Sequence, residues 1–270
     1  MTEVMGLDEA LTMAREGDGI TWRVPAGWEQ GRGAYGGLVV AAMTKAMLDG
    51  EEPERVARAL SASLTAPVEP GEVTISVERL RVGNAVSMWS ARLEQGGEVK
   101  ALASLVTGKD RPTGHTLPAV APSVPPWPEV PIATSVRPPI APVFTQHFEL
   151  RALAPYPFSG AGAVVGEMAA AAWIKPKVAP KTMGPVELAA MIDVCWPTAF
   201  AIERGPRPMA TVAFHCSFQV PDGGLDPSEP LFHRGTLVQG GQGFFSETRE
   251  LWTTRGELVC HNPQVFAWIK

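Results

Sequence analysis

A carboxylate inside an apolar segment is the feature of this chain best suited to chemistry. Asp193 lies in AAMIDVCWPTAF, and Glu187 is the only other charged residue between Pro185 and Trp196. A carboxylate withdrawn from water and left unpaired is costly, and its pKa rises, as is common at functional sites. An Asp on the exposed edge of the same helix, or bonded to a nearby amide, would be structural; the helix alone leaves both readings open. Thr211 lies in MATVAFHCSF. Strict alternation places Thr211, Ala213, His215 and Ser217 on one face, and Val212, Phe214, Cys216 and Phe218 on the other, which reads as the core face. Taken singly, Thr211 is an ordinary β-branched strand residue. His215 shares its face and reads either as a base or as a satisfied structural histidine. Gln264 follows Pro263 in HNPQVFAWIK. Proline in a strand marks an edge or a bulge, and bulges re-aim side chains near active sites; a glutamine facing water is the alternative.

Other motifs exclude more than they offer. Gly31-x-Gly33-x-x-Gly36 has the dinucleotide glycine spacing. It follows WRVPAGWEQ rather than a buried strand, and no parallel βα series succeeds it. It reads as a turn into a buried helix, or as a helix N-terminus whose amides near Gly36 and Gly37 stabilise an oxyanion. There is no G-x-S-x-G, no H-E-x-x-H and no C-x-x-C, so neither a nucleophile elbow nor a metal site is expected, and no cofactor is implied. The net charge is −5 and no basic stripe occurs, which disfavours nucleic acid as a partner. No apolar stretch is long enough to span a bilayer. Residues 1–19 carry five acidic residues and one arginine, unlike a signal peptide. Cys195, Cys216 and Cys260 are odd in number and far apart, as expected of reduced thiols in the cytoplasm.

The elements that position these residues come in two similar sets. Between Arg111 and Val143 there are ten prolines, which bars a helix or a central strand there. The spacing predicts folded halves at 1–110 and 144–270 with a Pro-rich connector at 111–143. The first half has a helix over Gly37–Leu48, then strands at Ala57–Ala66, Val73–Leu80, Ala85–Leu93 and Val99–Thr107. The second has a helix over Pro185–Trp196, then strands at Met209–Val220, Leu231–Val238, Phe244–Thr253 and Leu258–Ile269. Ala41-Ala42-Met43 matches Ala189-Ala190-Met191, with Gly36 opposite Gly184. We read this as an internal duplication. A helix apolar on nearly all sides must be wrapped. The expected class is therefore α+β, a tandem or double hotdog, each half a long antiparallel sheet around one helix, with the two sheets pairing or packing at the interface.

Asp193, Ala210-Thr211-Val212 and Gln264, in that order and in those elements, resemble the second half of type II acyl-CoA thioesterases. Gly36-Gly37 before an Ala-rich helix and Arg79-Leu-Arg-Val-Gly-Asn84 resemble features of that family's first half. The chain departs from it at Ala213-Phe214, where the family often has Asp-His, and at Phe218-Gln-Val. The resemblance implies an acyl-CoA substrate hydrolysed without a covalent intermediate. Asp193 would act as general base, Thr211 and Gln264 would hold the water, and the amides near Gly36 and Gly37 would meet the oxyanion. It further implies an apolar tunnel between the halves for the acyl chain, and a homodimer or higher homo-oligomer. A hotdog hydratase or dehydratase, which needs an Asp–His pair, and a non-catalytic acyl-CoA-binding protein are the alternatives.

Overall fold

The computed structural model describes the chain apart from residues 1–3, 17–18, 112–113, 116, 134–137, 161, 206, 222 and 270. The first half comprises α1 (Leu7–Ala10), β1 (Met13–Glu16), β2 (Gly19–Val24), a short hairpin of β3 (Glu29–Gln30) and β4 (Gly33–Ala34), α2 (Gly36–Leu48), β5 (Val56–Leu64), β6 (Gly71–Val82), β7 (Val86–Gln95) and β8 (Glu98–Gly108). The second comprises β9 (Phe148–Leu153), β10 (Met168–Pro176), α3 (Pro185–Met191), β11 (Met209–Phe218), β12 (Leu231–Gly241), β13 (Phe244–Trp252) and β14 (Leu258–Trp268). All eight expected long strands are present, with ends within a few residues of their expected positions.

Twelve strands form one antiparallel sheet in the order β1-β2-β6-β7-β8-β5-β11-β14-β13-β12-β10-β9. The second half repeats the strand order of the first in reverse, so a pseudo-two-fold axis runs between β5 and β11. The two sheets therefore join edge to edge, through pairs such as His215↔Ser61 and Cys216↔Leu60. Joining the edges leaves no unpaired strand in the middle of the molecule. The duplication extends to irregularities. A register shift lies between Ala57 and Ala59 in β5, and another lies between Thr211 and Ala213 in β11.

Helices α2 and α3 lie on the inner face of this sheet and pack against one another. In α2 every residue from Gly37 to Thr44, together with Ala46 and Met47, is buried, as an all-round apolar helix requires. The second helix is shorter than the pattern predicts, ending at Met191 rather than Trp196. The next amides bond to the third carbonyl back, Asp193 to Ala190 at 3.3 Å and Val194 to Met191 at 3.2 Å. Such tightening is typical of a helix end. Pro197 bars the helix from extending as far as Trp196, because the residue before a proline avoids the helical region. Asp193 thus sits in the turn after α3, not within the helix.

Part of the connector, residues 112–113, 116 and 134–137, lies outside the described residues. Residues 124–130 form a strap across the outer face of the second half. Val130 joins Trp173, Phe232 and Trp252 in a satellite core, with Val124 and Trp127 packed against it. The Trp173 indole donates to the Pro125 carbonyl at 2.9 Å, and Arg151 donates to the carbonyls of Trp127 and Val130. Removing the anchoring ring should free the strap. Trp173→Ala is expected to lower unfolding stability by roughly 3 kcal/mol in a urea titration, and to open residues 117–130 to limited proteolysis at native temperature.

Candidate active site

The site forms where the turn after α3 meets the start of α2 and the inner face of the second-half sheet. The Asp193 carboxylate is buried there with three donors. Oδ2 accepts the Gly37 amide at 2.8 Å. Oδ1 accepts Nη1 of Arg249 at 2.8 Å and Nε2 of Gln264 at 3.1 Å. The Thr211 hydroxyl donates to Oε1 of Gln264 at 3.3 Å. Asp193, Thr211 and Gln264, separate along the chain, are thus one hydrogen-bonded group.

Strand register explains how. On β13 the residues Phe245, Glu247, Arg249 and Leu251 are buried, and on β14 Cys260, Asn262, Gln264 and Phe266. These alternate sets face the helices. Strict alternation in β11 would have turned Thr211 away with His215. The register shift at Val212 reverses that expectation: one extra residue flips the side chains beyond it, and Thr211 comes round to the Gln264 side. His215 remains exposed on the opposite face of the sheet, its Nδ1 2.9 Å from Ser61 Oγ. It makes no pair with Asp193.

The glycines are dictated by close approach. A Cβ on Gly37 would lie 2.6 Å from the Ala190 carbonyl oxygen and 2.8 Å from Asp193 Cβ; one on Gly36 would lie 2.9 Å from Asp193 Oδ2. The Gly37 amide orients the carboxylate, so of the two amides proposed for an oxyanion it is already engaged.

Three residues of the site escaped the reading of the sequence. Arg249 is 1 % exposed and Glu247 1 %. Arg249 Nε donates to Glu247 Oε1, while Glu247 Oε2 accepts the Thr198 amide at 2.7 Å and the Thr198 hydroxyl at 2.6 Å. Asn262 accepts from Gln264 Nε2 at 2.7 Å and donates to the His215 carbonyl, which fixes the orientation of the glutamine amide. Burial pushes the Asp193 carboxyl above the usual range; Arg249, Gln264 and the Gly37 amide draw it back down, and Glu247 pushes it up.

Only the second half is equipped in this way. The neighbours Phe214, Gln264 and Glu247 on β11, β14 and β13 correspond in register to Leu60, Leu105 and Trp89 on β5, β8 and β7. Likewise the pair Arg249–Asn262 corresponds to Ala91–Ala103. Lys45, aligned with Asp193, forms an ion pair with Asp49 instead. The two cavities described lie elsewhere, one of about 540 Å³ beside Trp127, Trp173 and Trp252, and one of about 390 Å³ beside Lys45 and Glu187. Neither is lined by Asp193, Thr211 or Gln264. Among the described residues no cluster of His, Cys, Asp and Glu could hold a metal ion, and no helix is long and apolar enough to cross a membrane.

An edge-joined double hotdog with one polar constellation beside its paired helices defines the class. The family follows from sequence matches. Residues 24–108 match the acyl-CoA thioesterase N-terminal domain, and residues 116–267 match the acyl-CoA thioesterase C-terminal domain. The chain belongs to the acyl-CoA thioesterase family and is a thioester hydrolase. No curated protein sequence matches it. Among solved structures, it is similar to a conserved hotdog protein of unknown function from Alicyclobacillus acidocaldarius, with 24 % identity, 98 % of both chains covered and a TM-score of 0.85. It is also similar to the acyl-CoA thioesterase II TesB2 of Mycobacterium marinum, with 19 % identity, 97 % of this chain and 98 % of that one covered, and a TM-score of 0.76. The TesB protein of Mycobacterium avium subspecies paratuberculosis is similar at 19 % identity over 98 % of both chains, again with a TM-score of 0.76.

Because Gly37 touches the Ala190 carbonyl and Asp193 at once, Gly37→Ala must separate the two helices. A loss of about 1–3 kcal/mol in chemical denaturation is expected, as for other overpacked cores. An unchanged midpoint would mean that this contact is slack.

Proposed function

We propose that the chain hydrolyses an acyl-CoA thioester by direct attack of water, with Asp193 as general base. The observation that carries this reading is the three-residue group itself: a buried carboxylate bonded to Gln264, which in turn receives the Thr211 hydroxyl. In the proposed step, water transfers a proton to Asp193 as its oxygen bonds to the thioester carbonyl carbon. The resulting tetrahedral intermediate then collapses, breaking the C–S bond; the thiolate of coenzyme A takes up the proton held by Asp193, which restores the base, and the free acid departs. Thr211, half-buried at the rim of the group, would hold the water. Both amide hydrogens of Gln264 are engaged, by Asp193 and Asn262. Its share is therefore to lock the carboxylate and to offer Oε1 as an acceptor.

The oxyanion would be met by the Gly36 amide at the N-terminus of α2, where helix dipole and free donors favour negative charge. Since Gly37 serves Asp193, this role narrows to its neighbour. A hydratase would need a histidine paired with Asp193; His215 is on the far face of the sheet, and neither ring nitrogen of His233, buried near Arg249, bonds to Asp193.

A base works only when ionised. With Asp193 held above the ordinary aspartate range by burial, its ionised fraction falls as the pH drops through that raised value. The acid limb of kcat/KM should therefore lie above the usual aspartate pKa. Asp193→Asn should lower turnover by about 10²–10⁴-fold with native circular dichroism retained, measured by thiol release from short, medium, long and aromatic acyl-CoAs. Wild-type turnover in that variant would remove Asp193 from the mechanism.

A further inference from the structure

The two oxygens of Asp193 are not equivalent. Oδ1 receives two donors, the cationic Arg249 and the Gln264 amide. Oδ2 receives one neutral donor, the Gly37 amide. A carboxylate oxygen already bound by a guanidinium and an amide has little electron density left for a third hydrogen. We propose that Arg249, anchored by Glu247, is a positioning residue of this site: it occupies Oδ1, keeps Asp193 ionised, and leaves Oδ2 to take the proton from water. The inference rests on Asp193 being the base.

The geometry is specific. Arg249 reaches Asp193 through Nη1 and Glu247 through Nε, so its planar fork spans both carboxylates. Glu247 is held in turn by the amide and hydroxyl of Thr198. Each buried charge thus has a partner, as burial requires. The guanidinium also lies 5.3 Å from the centre of the ring of Phe266, the residue paired with Thr211. The direction chosen for proton transfer follows: Oδ2 faces Gly36 and Gly37, and a Cβ on Gly36 would meet it at 2.9 Å. Water activated there lies beside the same helix N-terminus that would receive the oxyanion.

Other titratable groups surround the pair. Glu247 comes from β13 with Arg249. Tyr35 ahead of α2, Cys195 in the turn of Asp193 and Cys216 on β11 are all pushed upward by burial and stay neutral. His233 on β12, close to Arg249, is pushed well below its ordinary range and is also neutral. Arg249 is the cation that offsets the burial of Asp193, and it draws the carboxyl down.

The test compares pH–rate profiles of the full-length protein, with rates normalised to folded protein. Arg249→Met alone strands Glu247, so Glu247→Gln/Arg249→Met, which removes both charges, is made beside it, with Arg249→Lys as the conservative variant. The expected result is a fall in kcat of about tenfold to a hundredfold in the double variant. Its acid limb should move up by about one pH unit or more, KM should change little, and both effects should be partly restored in Arg249→Lys. If the folded double variant keeps the wild-type limb and kcat while Asp193→Asn is inactive, Arg249 is structural only and this inference fails, with Asp193 still the base. If Asp193→Asn retains turnover, both fail together.

Discussion

The structure turns on one buried carboxylate, which the proposed role as base requires to be ionised. Asp193 is surrounded by two helices and a sheet, where an uncompensated charge would be untenable. Its three donors come from three separate elements: the first turn of α2, β13 and β14. Each constrains the fold around it. The amide from α2 is reachable only because Gly37 lets that helix start against the Ala190 carbonyl. The guanidinium from β13 can be buried only because Glu247 lies two residues before it on the same face. The amide from β14 points the right way only because Asn262 fixes it.

The duplication makes the one-sidedness of the polar group visible. A pseudo-two-fold arrangement offers two equivalent corners where one helix start meets the other helix end. At one corner the inner sheet positions are Gln264, Glu247, Arg249 and Asn262. At the other they are Leu105, Trp89, Ala91 and Ala103, and they serve as core. Asymmetry extends to the outer face, where the proline-rich strap is matched by Trp173, Phe232 and Trp252 on the second half alone. The connector is therefore docked on the second half through Val124, Trp127 and Val130 rather than being only a spacer.

Much of this was legible in the residues. Alternation and helical periodicity marked the eight long strands and both buried helices, because each element follows the period of its own geometry. The Ala-Ala-Met repeat marked the duplication. What failed were the local departures from periodicity. The pattern carried the second helix through Asp193 to Trp196, whereas tight turns end it at Met191. Alternation put Thr211 on the His215 face, whereas the shift at Val212 turns it inward; a bulge changes the phase without changing the composition. Arg249 and Glu247 were overlooked although they alternate with Phe245 and Leu251, which placed two charges in the core set of β13. Which charges meet across a fold depends on tertiary contacts, and the three donors to Asp193 lie 56, 71 and 156 residues from it along the chain.

The central claim is that the thioester carbonyl binds at Asp193 and meets water there. A crystal structure with an acyl-CoA analogue carrying methylene in place of the thioester sulfur tests it directly. The account predicts the analogue's carbonyl beside the Gly36 amide, with an ordered water bonded to Asp193 Oδ2. An analogue seated instead in the cavity beside Lys45 and Glu187, with Asp193 still sealed, would contradict it.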